Sequence, residues 1–294
     1  MSRLFAFGCS ATVDNHWPTW ADILGHSFDH YENWAQGGAG NSFMFYSVME
    51  CVKRKNISKD DTVIIMWTNI GREDRYIKNQ RWITPGNIYT QTTYDQTFVE
   101  KFADPTGYLI KDMANIAATK HILESIGCEF YFLSVVPLAV YDDHFGSSFT
   151  INNKILRLYQ AEFESIRPSM FTTVFNNNWY SRPGLVDVKE LSREYNTIAG
   201  PDWPTWDRFV KNDFDKVPNS IKKEIDSHNF AKRLTMRTDT HPMPSEHLLY
   251  LEQVLPECRV NNDTKLLVQK TTAAILARQK ISKWWNNRRR PERF

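Results

Sequence analysis

Leu4-Phe5-Ala6-Phe7-Gly8-Cys9-Ser10-Ala11-Thr12 decides the fold. Four apolar residues with no polar alternation read as a strand buried on both faces, ended by Gly8. A serine follows at once, before the next helical pattern. This places Ser10 at a strand's C-terminal end, with its hydroxyl at a helix N-terminus. The pattern then repeats. Trp17–Leu24 reads as a short helix, Tyr31–Ala35 as a second strand, and Phe43–Val52 as a helix capped by Asn41 or Ser42. Thr62–Trp67 is the clearest strand, and 108–126 the clearest helix, stopped by Gly127. Glu129–Val136 is another buried strand, Ile155–Ile166 a helix, and Phe171–Phe175 a fifth strand. Ser245–Leu255 and Leu266–Trp285 are late helices.

Strands alternating with helices predict an α/β fold: a three-layer α/β/α sandwich around a parallel sheet of about five strands. Three long connections, 69–105, 137–150 and 176–237, each follow a strand, so they crowd the sheet's C-terminal edge, where open α/β sheets bind ligands. The expected organisation is one domain over 1–263, with insertions at about 69–105 and 176–237, and a C-terminal helix and basic tail over 264–294.

Composition narrows the function. The chain has 294 residues, 41% hydrophobic and 24% charged, with a net charge of +2. It is long enough to need no disulfide or metal staple, and its near-balance of charge excludes a generally polybasic nucleic-acid binder. Residues 278–294 hold seven Lys/Arg against one Glu, leaving −4 on the other 277. The body is mildly acidic. The tail, with Trp284-Trp285 and Arg288-Arg289-Arg290, reads as a solvated basic helix end and is the one place suited to nucleic acid. The cysteines Cys9, Cys51, Cys128 and Cys258 form no C-x-x-C pair, which argues against a zinc ribbon or redox motif. Sparse cysteines, no secretory pattern at the N-terminus and no apolar run near 18 residues predict a cytoplasmic protein without a membrane span.

Four features carry chemistry. Ser10 is a candidate nucleophile, or a turn serine. His241, in Asp239-Thr240-His241-Pro242, is a candidate general base, with Asp239 either orienting its ring or starting a turn. His247 reads as structural. The cluster Gln36-Gly37-Gly38-Ala39-Gly40 offers backbone N–H groups to a ligand or anion, or is a tight turn. It is neither G-x-G-x-x-G nor a Walker loop. Asn69 ends the third strand, where its amide N–H₂ is suited to a developing oxyanion.

In this order, these pieces resemble the SGNH (GDSL-type) hydrolase family over roughly residues 4–255. Gly8-Cys9-Ser10 is similar to the first block, with Cys9 in place of Asp. Asn33 and Gly38 are similar to the second. Asn69 alone matches the third. Asp239-Thr240-His241 resembles the last, one residue short. The resemblance implies a flavodoxin-like α/β/α fold and a serine esterase with Ser10 as nucleophile and His241 as base. It implies an oxyanion hole from the N–H groups of Ser10 and Gly38 and the Asn69 side chain. No metal or organic cofactor is implied. The shortened last block leaves a Ser–His dyad as an alternative to a triad with Asp239.

The long loops carry Trp82, Tyr89, Tyr94, Trp179, Tyr180, Trp203 and Trp206 among polar residues. Such rings stack on sugar faces, or anchor loops to the body. Gly40, Arg72, Trp82 and Trp179 are the candidate substrate contacts, although Arg72 to Arg75 also suit surface ion pairs. Many SGNH relatives act on acylated carbohydrates, so the resemblance implies a small O-acyl sugar ester, O-acetyl first. An O-acyltransferase using the same Ser/His site, or a non-catalytic carbohydrate-binding or assembly protein, remain the alternatives.

Overall fold

The computed structural model describes residues 2–13, 17–78, 81–89, 93–138, 153–176, 188–211, 213–228, 230 and 241–276. Among these residues the strands are β1 (Arg3–Phe7), β2 (His30–Asn33), β3 (Asp61–Trp67), β4 (Arg75–Tyr76), β5 (Trp82–Ile83) and β6 (Glu129–Ser134). The helices are α1 (Trp20–Gly25), α2 (Asn41–Lys55), α3 (Gln96–Phe102), α4 (Pro105–Ile126), α5 (Asn153–Leu158), α6 (Gln160–Glu164), α7 (Met170–Phe175), α8 (Val188–Ile198), α9 (Trp206–Val210), α10 (Asn219–Ser227), α11 (Pro244–Val254) and α12 (Asn262–Leu276).

They form two compact units, Met1–Asn177 with Pro242–Phe294, and Asn178–His241. The first is built on a parallel sheet of order β2-β1-β3-β6. All seven residues of β3 are buried, as a central parallel strand covered on both faces must be. One helical layer pairs α2 with α4. The other gathers α1, α7 and α12 around α11. Ala6 lies opposite both Asn33 and Ile64, and Trp67 opposite Ser134, so β1, β2, β3 and β6 run in one direction and end along one edge. At the opposite edge Arg3 clamps Asp61 through two 2.6 Å hydrogen bonds, fixing the β1–β3 register.

The α/β/α fold matches the sequence expectation, with two differences. Among the described residues the sheet has four strands, because Phe171–Phe175 lies in α7. Ser169 starts that helix by accepting from the Thr172 N–H at 3.1 Å. A short apolar run suits a buried helix turn as well as a strand. The chain just before it still follows β6, with Arg167 N–H donating to Phe132 O at 2.8 Å and Phe171 N–H to Val135 O at 2.9 Å. The second difference lies in the long connections. Residues 69–105 hold the β4–β5 ribbon and α3, and 176–237 hold α8, α9 and α10.

The second unit has its own core of Leu191, Tyr195, Trp203, Phe209, Ile225 and Phe230. Trp203 and Trp206 pack on Tyr195 at ring separations of 5.5 and 5.3 Å. Trp203 is thus a core ring of a small helical unit and Trp206, partly buried, packs against that core, which is the anchoring alternative of the sequence reading.

Candidate active site

Ser10 lies in a single hydrogen-bonded turn, not at the start of a regular helix. Thr12 and Val13 N–H groups both donate to Cys9 O, at 2.9 and 3.0 Å, and α1 begins only at Trp20. A Cβ at Gly8 would lie 2.6 Å from Thr12 Cβ, so the sharp exit from β1 requires glycine. Thr12 anchors the turn. Its carbonyl accepts from Thr19 Oγ1 at 2.7 Å and Asn33 Nδ2 at 2.8 Å, and its hydroxyl accepts from Trp20 Nε1 at 3.1 Å. Cys9 is buried and Ser10 half-buried. Among the described residues neither the Ser10 hydroxyl nor its N–H has a hydrogen-bond partner.

The glycine loop lies directly beside this turn. The β1–β2 ladder continues past the strand ends, with Gln36 N–H donating to Gly8 O at 3.2 Å. Gly38 has φ +73°, and a Cβ there would run into the Thr84 carbonyl. Its N–H has no acceptor among the described residues. Gly40 differs. It is buried, and its N–H is committed to the two Asp74 carboxylate oxygens at 2.9 and 3.1 Å. Phe43 N–H donates to Asp74 Oδ2 at 2.9 Å. Asp74 thus caps α2 from a distant loop, and Gly40 starts that helix instead of offering its N–H to a substrate. Asn41 and Ser42, expected as caps, are the first helical residues. Burial raises the Asp74 pKa against these donors.

Asn69 follows β3 by two residues and is buried. Its Oδ1 accepts the Gly71 N–H at 3.1 Å, which orients the carboxamide and leaves Nδ2 with no acceptor among the described residues. The residue before it is held by Asn41. Asn41 Oδ1 accepts the Thr68 N–H at 2.9 Å, and Asn41 Nδ2 donates to Thr68 O at 2.9 Å and to Asp112 Oδ2 at 2.7 Å. Burial pushes the Asp112 carboxyl up to about 8.

Among the described residues Arg72 makes no ion pair. Its Nη1 donates to Ala39 O at 2.8 Å, bracing the glycine loop. Glu73 does pair at the surface, with Arg75 at 2.9 Å and Lys111 at 3.3 Å. Trp82 stacks on Tyr46 at 5.2 Å and meets Phe43 and Tyr76 edge-on at 5.8 and 5.6 Å. It also lines an open cleft of about 510 Å³ with Gln36, Arg81, Thr84 and Thr93. The cleft adjoins the glycine loop, because Gln36 Nε2 donates to Thr84 Oγ1 at 2.9 Å and that hydroxyl donates to Gly37 O at 2.8 Å. Tyr89 and Tyr94 anchor their loops, donating to Ala103 O at 2.8 Å and Glu73 O at 3.2 Å.

His241 is half-buried and is the last residue of the second unit. Pro242, next to it, begins the return to the first unit, where its carbonyl accepts from Trp17 Nε1 at 2.7 Å. His247 is buried within α11. Asp239, Trp179, Tyr180 and the basic tail lie outside the described residues.

Ser10, Gly38 and Asn69 therefore follow three adjacent parallel strands at one edge, each with an uncommitted donor among the described residues. Sequence reading missed Gln36, Asp74, Thr84 and Asp112 as parts of the scaffold, and gave Asn41 a different role. Their partners lie up to 71 positions away, and no local pattern marks them. Among the described residues no group of three or more His, Cys, Asp or Glu is placed to hold a metal ion, and no helix is long and apolar enough to cross a membrane.

No family model and no curated protein matches the chain. A solved structure described as a member of the lipolytic protein G-D-S-L family from Veillonella parvula DSM 2008 is similar to it, with a TM-score of 0.36 and 12% identity over 62% of this chain and 85% of that one. A likeness of that extent assigns neither family nor activity.

Proposed function

We propose that the chain is a serine esterase of SGNH type that removes a small acyl group, most simply acetyl, from a carbohydrate ester. The observation that carries the reading is the set of uncommitted donors after adjacent strand ends: Ser10 N–H, Gly38 N–H and Asn69 Nδ2. Donors held in advance where charge develops stabilise a tetrahedral oxyanion without reorganising, and removing one costs about 3–4 kcal/mol of barrier.

Ser10 Oγ attacks the ester carbonyl carbon and passes its proton to His241, with Asp239 or a backbone carbonyl orienting the imidazole. The oxyanion rests on the three donors. As it collapses, the ester C–O bond breaks and the sugar oxygen takes the proton from His241. Water then attacks the acyl-Ser10 carbonyl and gives a proton to His241. The acyl–Oγ bond breaks as Ser10 Oγ takes that proton back from His241, releasing the carboxylic acid and restoring the serine. His241 takes the base's part because Asp239-Thr240-His241 is the stretch that resembles the family's last block. The Trp82 cleft, with its amide and hydroxyl groups beside the glycine loop, supports a sugar as the alcohol part.

The test is acetate release from acetylated sugars by wild type and Ser10→Ala. The reading predicts turnover that the variant loses by at least about 10³-fold. Equal rates would remove Ser10 from the mechanism. Adding sugar acceptors and looking for transferred acetyl separates hydrolase from acyltransferase, and binding of sugars without turnover is the outcome expected of a non-catalytic binding protein.

A further inference from the structure

We infer that Asn41 is the positioning residue of the Asn69 donor, acting through the backbone of Thr68. The inference rests on the esterase reading for its catalytic consequence, but its geometry stands apart from that reading.

β1 ends at Phe7, and its last partner on β3 is Ile65. On the other side of β3 the ladder continues, with Val135 N–H donating to Trp67 O at 2.9 Å. Backbone groups of successive strand residues point to alternate sides. Thr68 therefore faces the side where β1 has already turned away into the Ser10 turn. The Asn41 carboxamide fills that place, pairing with both the N–H and the C=O of Thr68, each at 2.9 Å, as a neighbouring strand would. The Thr68 carbonyl belongs to the peptide that leads into Asn69. Asn41 thus fixes the plane before Asn69 Cα, while Gly71 N–H holds the far side of the side chain at Oδ1. Both ends of Asn69 are tied, and Nδ2 has one direction.

Thr68 itself excludes the alternative. Rotating the Asn41 carboxamide by half a turn would set its oxygen against the Thr68 carbonyl and its N–H₂ against the Thr68 N–H. Asn41, Thr68, Asn69 and Asp112 are all buried, so water cannot take over a lost bond cheaply. Asn41 is also only three residues beyond Gly38, so one helix start sets two of the proposed oxyanion donors.

The test is a double-mutant cycle of Asn41→Ala and Asn69→Ala, reading kcat and KM for acetyl-ester hydrolysis. A residue that acts only by aiming Asn69 loses its effect once Asn69 is gone. Asn41→Ala alone should lower kcat by about 10- to 100-fold with KM within about twofold, and add less than about twofold in the Asn69→Ala background. Equal factors in both backgrounds would overturn the inference. Asn41→Asp keeps the acceptor for Thr68 N–H but removes the donor. It should show the same split if Asn41→Ala fails to fold.

A second readout needs no turnover. In wild type and Asn41→Ala, the Asn69 side-chain amide resonances and the exchange of Gly71 N–H are followed by NMR. The inference predicts that both change while the amides of β1 and β6 do not. Unchanged Asn69 and Gly71 signals would overturn it. A wild type that cleaves no ester would defeat the esterase reading and leave this readout to decide the positioning role.

Discussion

The Trp17 indole donates to the Pro242 carbonyl at 2.7 Å across 225 positions of sequence. It joins the loop that follows Ser10 to the residue that follows His241. Trp17 is 5% exposed, so the bond is shielded from water. Trp17→Phe keeps most of the ring and removes the donor. It should cost about 1–2 kcal/mol of stability, as a buried acceptor left unpaired does. Denaturant melts of wild type and variant check the loss.

Gly38 and Gly40 should respond differently to alanine. At Gly38, φ is +73° and the new methyl meets the Thr84 carbonyl. Gly38→Ala must shift the loop that carries the proposed donor, lowering kcat by about 10²-fold or more. At Gly40 the new methyl would lie 2.7 Å from Asp74 Oδ2, so Gly40→Ala disturbs the α2 cap and should show mainly as a lower melting temperature. Thermal melts beside kinetics separate the two.

Asp74→Ala leaves the N–H groups of Gly40 and Phe43 without their acceptor at the start of α2. The expected loss is about 1–2 kcal/mol, the range for a removed helix cap. Asp74→Asn retains one acceptor oxygen and should lose less. Urea unfolding of the two variants gives the comparison.

Asp112 gives a pH dependence with a fixed sign. Its carboxyl, ordinarily near 3.9, is pushed up to about 8 in the fold by burial. The folded state therefore holds the proton more tightly than the unfolded chain. The stability linked to it is present in full below about 3.9 and is lost as pH rises through about 8. Asp112→Asn should remove this part of the slope, so the variant gains on wild type between pH 4 and pH 8. Unfolding free energies across that range measure the difference, and parallel curves would contradict it.

Much of the fold was legible because a buried parallel strand has to be apolar on both faces. Phe5, Phe7, Ile64, Ile65 and Leu133 announce theirs. Helix α4 was legible from its stop, since Gly127 takes φ +74° where the helix ends. Phe171–Phe175 was ambiguous because its length suits both states, and the Ser169 cap tips it to helix. The helices of the second unit were not legible, because their aromatic residues sit among many polar ones. At the candidate site, Ser10 and Asn69 stand out in the sequence because each closely follows a strand, and Gly38 because it resembles the family's second block. The residues that hold them were not. Asp74 reads as a surface charge until the fold brings it to Gly40, and Asn41 reads as a helix cap until β1 turns away and leaves Thr68 to it.

The central claim is that Ser10 is a nucleophile within a set of prepared oxyanion donors. Its most direct test is exposure of the folded protein to a fluorophosphonate, followed by mass mapping of the adduct. The expected result is one adduct, on Ser10, with labelling slowed by Asn69→Ala and abolished by His241→Ala. A folded protein that stays unlabelled at Ser10, or labels it at the same rate without His241, would contradict it.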